Sequence, residues 1–182
     1  MGQFVDRMIR AAQLDENLYE EVEADKGAMK QAIGVVVLSS LAAGIGTMSQ
    51  GGGIGRLALG TVAALIGWYI WAFLIYVIGT KMLPEPQTRA DHGELLRTLG
   101  FASAPGLLRV LGFLPAVSGI VLMGSSIWML IAMVVAVRQA LDYQSTLRAV
   151  GVCVVGWVIQ IAVLIFVMVV GGGVASQTGP TP

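Results

Sequence analysis

The chain reads as an all-α polytopic membrane protein: five transmembrane helices in one bundle, amino terminus cytoplasmic, carboxyl terminus outside. Three observations predict this. Mean hydropathy is +0.80 and charged residues are 12% of the chain, about half the share usual in a soluble domain, and long apolar runs with few charges mark multi-pass proteins. Residues 99–137 carry one charge, Arg109; the run is too long for one passage and fits two, with Pro115 at the reversal. The basic residues also segregate. With the amino terminus inside, Arg7, Arg10, Lys26, Lys30, Lys81, Arg89, Arg97, Arg138 and Arg148 lie inside and only Arg56 outside, a strong positive-inside pattern.

Residues 1–31 form a cytoplasmic amphipathic and acidic segment. They are acidic and lack an apolar core near the start, so no signal peptide is expected. Phe4, Val5, Met8, Ile9 and Ala12 recur at helical spacing. Two readings stay open: an interfacial helix on the membrane surface, or a stripe that covers the base of the bundle. The acidic run from Leu18 to Lys26 reads as a solvated face, or as a docking element, since Leu18, Tyr19 and Val22 share one side of a helix.

The membrane domain covers residues 32–170, with spans at 32–48, 57–80, 98–114, 116–137 and 149–170. Ser40 and Gly44 in the first span form a small-xxx-small pair for close helix contact. A glycine-rich turn follows, with Gly51, Gly52 and Gly53. Trp68 and Trp71 in the second span, and Trp128 and Trp157 later, fall near mid-span rather than in interfacial belts; their N–H groups call for hydroxyl or backbone carbonyl acceptors. Pro84 and Pro86 stop the second helix. Asp91 and Glu94 have capping-box spacing. Pro105 is expected to kink the third span. Ala132, Ala136 and Ala140 make a small-residue packing seam, and Arg138 and Asp142 stand four apart as helix neighbours. Residues 171–182 are uncharged, rich in Gly, Thr and Pro, and expected to be disordered.

All eleven acidic residues fall on the predicted cytoplasmic side, so the membrane interior holds no carboxylate. Arg109 is therefore an intramembrane charge without an acidic partner, a functional candidate by default. It lies twelve residues after Arg97, as Gln160 lies twelve after Arg148. If those two arginines mark the inner surface, both polar groups sit about 18 Å deep and can face one polar pocket holding water, a lipid head group or an anionic ligand. The competing reading leaves Arg109 bonded to carbonyls freed by Pro105, or raised in a re-entrant leg.

Other chemistry finds little support. The missing carboxylates lower the likelihood of proton- or sodium-coupled transport. Ser103, Ser118, Ser125 and Ser126 have no nearby histidine in sequence, because His92, the only one, is in a loop. The same single histidine leaves Asp91, His92 and Glu94 without further metal ligands, and no Lys-Ser or Lys-Thr follows the glycine run to make a phosphate loop. Cys153 is alone, so there is no intrachain disulfide. No catalytic site, metal, cofactor or nucleic-acid partner is expected.

Three stretches carry a resemblance: Leu18-Tyr19-Glu20-Glu21-Val22-Glu23-Ala24-Asp25; Gly93-Glu94-Leu95-Leu96-Arg97-Thr98-Leu99-Gly100-Phe101 with Pro105; and Trp128 with Arg138-Gln139-Ala140-Leu141-Asp142-Tyr143. Over most of residues 14–170 the chain resembles bacterial members of the YIP family (Ypt-interacting-protein domain). The resemblance implies five spans, a cytoplasmic amino terminus and residence in the bacterial cytoplasmic membrane. Eukaryotic relatives bind Rab-type GTPases in vesicle trafficking or membrane shaping through an Asp-Leu-Tyr-Gly-Pro motif; this chain has Asn17-Leu18-Tyr19-Glu20-Glu21 there instead. The expected function is a non-enzymatic protein that organises membrane or partner proteins. Leu18, Tyr19, Glu20, Glu21, Asp25, Glu94 and Arg97 would supply a cytoplasmic docking surface, with membrane lipids, a protein partner or a second copy of the chain as partners. The alternative is a small permease or channel using Arg109 and Gln160.

Overall fold

A computed structural model describes residues 2–47 and 53–175, and these are mostly helical, without strands. The order is α1 (Gln3–Ala12), α2 (Glu16–Ala24), α3 (Met29–Gly46), α4 (Ile54–Val77), α5 (His92–Phe101), a run of 3-10 turns (Ala104–Phe113), α6 (Ser118–Ala140) and α7 (Thr146–Ala175). Four helical segments are long and apolar enough to cross a membrane: Lys26–Gly46, Ile54–Met82, Ser118–Ala140 and Thr146–Val163. Helix is the conformation such sequences must adopt, because lipid offers backbone N–H and C=O groups no partner.

The leg expected as one kinked span at 98–114 is built differently. α5 ends at Phe101 and the 3-10 run begins with Pro105 in its first turn. Proline lacks the N–H an α-helix needs and its ring crowds the preceding turn, so the chain changes helix type instead of bending one helix. This leg runs parallel to α3. A Cβ added to Gly100 would lie 2.7 Å from Ala32 Cβ, one on Gly106 2.1 Å from Ser39 Oγ, and one on Gly46 2.0 Å from the Arg109 carbonyl oxygen. The backbones thus touch along the length of α3, and only glycine fits at these crossings.

α4 packs beside α3. Ser40 Oγ bonds Thr61 Oγ1 at 3.2 Å, and a Cβ on Gly44 would lie 2.4 Å from Leu57 Cδ2; the small pair marks the α3–α4 contact. Ala132, Ala136 and Ala140 are fully buried on α6. α4 ends in a widened π-turn, Ile78–Met82, where the Tyr143 hydroxyl lies 3.0 Å from the Gly79 carbonyl and 2.8 Å from that of Leu83. The loop after it is pinned to the α6–α7 turn by Arg148–Glu85 at 3.4 Å and by Gln144 N–H donating to Glu85 at 3.0 Å.

Arg138 does not pair with Asp142. α6 closes at Ala140 and Asp142 adopts a left-handed φ of 53°, so the helical i,i+4 geometry is lost. Arg138 reaches Glu16 at 3.0 Å, tying α6 to α2. Asp142 faces the backbone N–H of Arg89 at 3.4 Å. At the far end, α7 continues to Ala175, past the expected span limit at 170, since apolar surroundings favour internal hydrogen bonding even through Gly171-Gly172-Gly173. Met48, the turn residues 49–52 and the tail 176–182 lie outside the described residues.

Gly46→Val should destabilise the protein by about 1–3 kcal/mol, the usual cost of overpacking. Gly60→Ala, where a Cβ meets nothing within 4 Å in the interior of α4, should not destabilise and should gain up to about 1 kcal/mol from helix propensity. Thermal melting followed by detergent size-exclusion checks both.

Candidate functional site

The 3-10 run sets Arg109 against α6, where its Nη2 donates to Ser126 Oγ at 2.9 Å. Ser126 can accept because its own hydroxyl donates to the Leu122 carbonyl at 2.7 Å. Behind this contact is a cavity of about 440 Å³ between α4, α5, α6, α7 and the 3-10 run, lined by Trp68, Trp71, Arg109, Ser126, Trp157 and Gln160 among apolar neighbours. The structure therefore brings Arg109 and Gln160, 51 residues apart in number, to the walls of one space. Arg109 bonds a side-chain hydroxyl, not carbonyls released by Pro105. Among the described residues Arg109 has no ion pair and the Gln160 side chain no hydrogen bond.

Two tryptophans find carbonyl acceptors: Trp68 Nε1 donates to Leu96 O at 3.2 Å and Trp128 Nε1 to Ala12 O at 2.8 Å. Trp71 Nε1 is buried without an acceptor. The polar groups on the wall are a guanidinium, a serine hydroxyl and an amide that both donates and accepts, with no carboxylate. It can hold water or an anion. It has no nucleophile with a base beside it, because His92 instead packs edge-on against Tyr69 and Phe73, with ring centroids 4.9 and 5.8 Å away. No group of three metal-binding side chains occurs among the described residues.

The second candidate region is the cap formed by α1 and α2. Asp15 caps α2 by accepting from Asn17 N–H. Leu18, Tyr19 and Val22 are fully buried, so the expected docking role of Leu18 and Tyr19 is corrected: their apolar face closes the core, Leu18 and Val22 gaining about 1.5–3 kcal/mol each. The Tyr19 hydroxyl donates to Ala11 O at 3.3 Å, and burial holds its pKa above the usual value. Glu21 and Asp25 are engaged as well. Arg7, on the protein-facing side of α1 and 3% exposed, bonds Glu21 at 2.8 Å, Asp25 at 2.9 Å and Gln31 at 3.0 Å. Arg10 adds Asp15 at 2.8 Å and Glu21 at 2.6 Å.

Arg97 is buried too, donating to Val22 O at 2.9 Å and to Glu23 O. These are carbonyls of the last turn of α2, which no intrahelical N–H reaches; a cation there also meets the negative end of the helix. Glu94 closes the α5 capping box with Asp91, at 2.7 and 2.8 Å. Of the seven expected docking residues, Glu20 alone is classed as exposed. The apolar stripe of α1 divides: Phe4 and Met8 pack on the core, while Val5 and Ile9 stay outward at 38% and 44% exposure.

Arg7, Glu23, Trp71 and Ser126 were not legible as site residues. Arg7 had only its register with buried Ala11 one turn on, and Ser126 its place as a hydroxyl in an apolar helix. Glu23 lies where burial, then the charges of Glu94, Asp142 and Glu20, push its carboxyl up to about 7, against a smaller opposing pull from Arg97. Glu21, Asp25 and Asp15 are held below the carboxylate range, first by hydrogen bonds from Arg10, Arg7 and Arg10 respectively.

The signs oppose. A carboxyl with raised folded pKa stabilises most at low pH and loses that contribution as pH climbs from about 4.5 through about 7. The lowered carboxylates stabilise above their ordinary pKa and lose the contribution on acidification. The melting temperature should therefore peak at about pH 5 and fall toward pH 8, and Glu23→Gln should flatten the alkaline limb. Arg7→Ala should lower the melting temperature by several degrees, more than Arg10→Ala, since it strips partners from a buried guanidinium site. Differential scanning fluorimetry in nanodiscs reads both.

Neither a curated protein nor a solved structure matches the chain. The family model for the Yip1 domain matches residues 22–168, from the buried Val22 of α2 into α7. With four membrane-length helices and this match over most of its length, the chain belongs to the Yip1 domain family of multi-pass membrane proteins.

Proposed function

We propose that the protein is a non-enzymatic, five-span YIP-type component of a bacterial cytoplasmic membrane that organises membrane or partner proteins. The observation that carries this reading is the rigid attachment of the cap. Arg7, Arg97 and Arg138 bond it to the carboxylates, carbonyls and helices around it, which is a construction suited to presenting a fixed face and not a flexible tail. Asp6, Glu16 and Glu20 are exposed acidic groups of the cap, Glu16 being engaged by Arg138, and lipids surround the apolar helices.

A fifth crossing is supported by the leg alongside α3. At about 2.0 Å per residue, 3-10 turns cover more depth than α-helix, so the short 104–113 run together with 100–103 can match the reach of α3 from Ala32 to Gly46. The charge asymmetry then puts the amino terminus inside and the carboxyl terminus outside. A cysteine at position 176 in a Cys153→Ser background should react with a membrane-impermeant maleimide from the outside; protection there with reaction from the inside would sink the five-span reading.

For the organising role, polymer nanodiscs drawn from native membrane should yield a stoichiometric protein partner by mass spectrometry. Glu20→Lys should lose that partner at unchanged yield and melting temperature. Recovery of the chain alone, or equal recovery from the variant, defeats the reading. The cavity at Arg109 and Gln160 favours a second reading, a small permease or channel; anion flux from liposomes that Arg109→Leu abolishes would support it.

A further inference from the structure

We propose that the Arg109 cavity is a binding site for the phosphate of an anionic glycerophospholipid, which enters sideways between α6 and α7 and leaves its acyl chains in the bilayer. The cavity is used here as a binding site, and the proposal stands whether or not anything is carried across the membrane.

The first argument is charge. A guanidinium in low-dielectric surroundings is costly unless paired. Arg109 has one neutral hydroxyl partner, Ser126 at 2.9 Å, and the sequence supplies no Asp or Glu between residues 95 and 141 or between 27 and 84. The counter-ion must come from outside the chain. The second argument is the donor excess. Gln160 lines the same space without a side-chain hydrogen bond of its own among the described residues and can turn its N–H groups to the same guest as Arg109; the Trp71 indole N–H has no accessible surface and is not part of that set. A group rich in acceptor oxygens complements such a set; a cation or a neutral hydrocarbon does not.

The third argument is access and size. Leu130 and Trp157 line the cavity and are 37% and 45% exposed. The opening is thus flanked by apolar side chains on membrane-length helices. The cavity volume, about 440 Å³, exceeds by far the ~30 Å³ share of one water and lies in the range of small-ligand sites. An amphiphile satisfies both ends of this arrangement: an anionic head for Arg109, Ser126 and Gln160, and chains for an apolar mouth.

Trp68, Trp71 and Trp157 line the space, so intrinsic fluorescence reports on it. The full chain is reconstituted in phosphatidylcholine vesicles and quenched with brominated phosphatidylglycerol or brominated phosphatidylcholine. The wild type should prefer phosphatidylglycerol by about tenfold, the worth of one charge-assisted contact. Arg109→Leu should abolish the preference, Gln160→Leu reduce it, and Arg109→Lys keep part of it while showing that the fold survives. Equal quenching by the two lipids in the wild type, or a preference unchanged in both Arg109→Leu and Gln160→Leu, overturns the proposal. Inorganic phosphate added to the phosphatidylcholine vesicles tests the other source of the same oxyanion. A fluorescence change with phosphate that Arg109→Leu removes would assign the site to a free anion and also overturn it.

Discussion

The contact on which the structure depends is the backbone approach of α3 to the leg that follows α5. Side chains normally hold helices 8–10 Å apart. Here glycine on one side or the other lets the two segments approach closely, Gly46 against the Arg109 carbonyl, Gly100 against Ala32 and Gly106 against the Ser39 side chain. In lipid there is little hydrophobic gain from burying apolar side chains against each other, so such close packing supplies much of the association energy. It also fixes the axial position of Arg109. The guanidinium reaches Ser126 on α6 because its backbone is seated against α3.

The charged residues at the α2 end solve a different problem. Short helices leave unsatisfied N–H and C=O groups at both ends, and both ends of α2 and the start of α5 are capped by side chains here. Arg97 serves the carbonyl end of α2, Asp15 its amide end, and Asp91 with Glu94 the amide end of α5. The same side chains join elements far apart in sequence, so the capping chemistry doubles as tertiary structure. Glu23 sits where this economy leaves three carboxylates near a partly buried fourth.

That the chain is an all-helical protein with membrane-length helices was readable because hydropathy is set by the solvent and not by packing detail. The Asp91–Glu94 box was readable for a related reason: both partners lie within one turn. Arg109 and Gln160 could be brought to one depth by counting residues from Arg97 and Arg148, since helical rise converts number to distance. Counting loses accuracy where rise changes, as in the 3-10 run after Pro105 that carries Arg109 itself. It fails equally for facing: Leu18, Tyr19 and Val22 occupy one side of α2, yet periodicity is silent on whether that side meets a partner or the chain's own core. Arg7 was harder still, because a basic residue on an amphipathic helix ordinarily faces water, and its carboxylate partners come from α2.

The bond from Trp128 to the Ala12 carbonyl has a mechanical meaning. Trp128 stands ten residues before Arg138 on α6, about 15 Å along the helix axis, so the end of α1 is sunk well below the level of that arginine. With Val5 and Ile9 turned outward, the apolar edge of α1 stands open at that depth beside α6, so the segment ahead of α2 is held as part of the helical packing and not as a free arm.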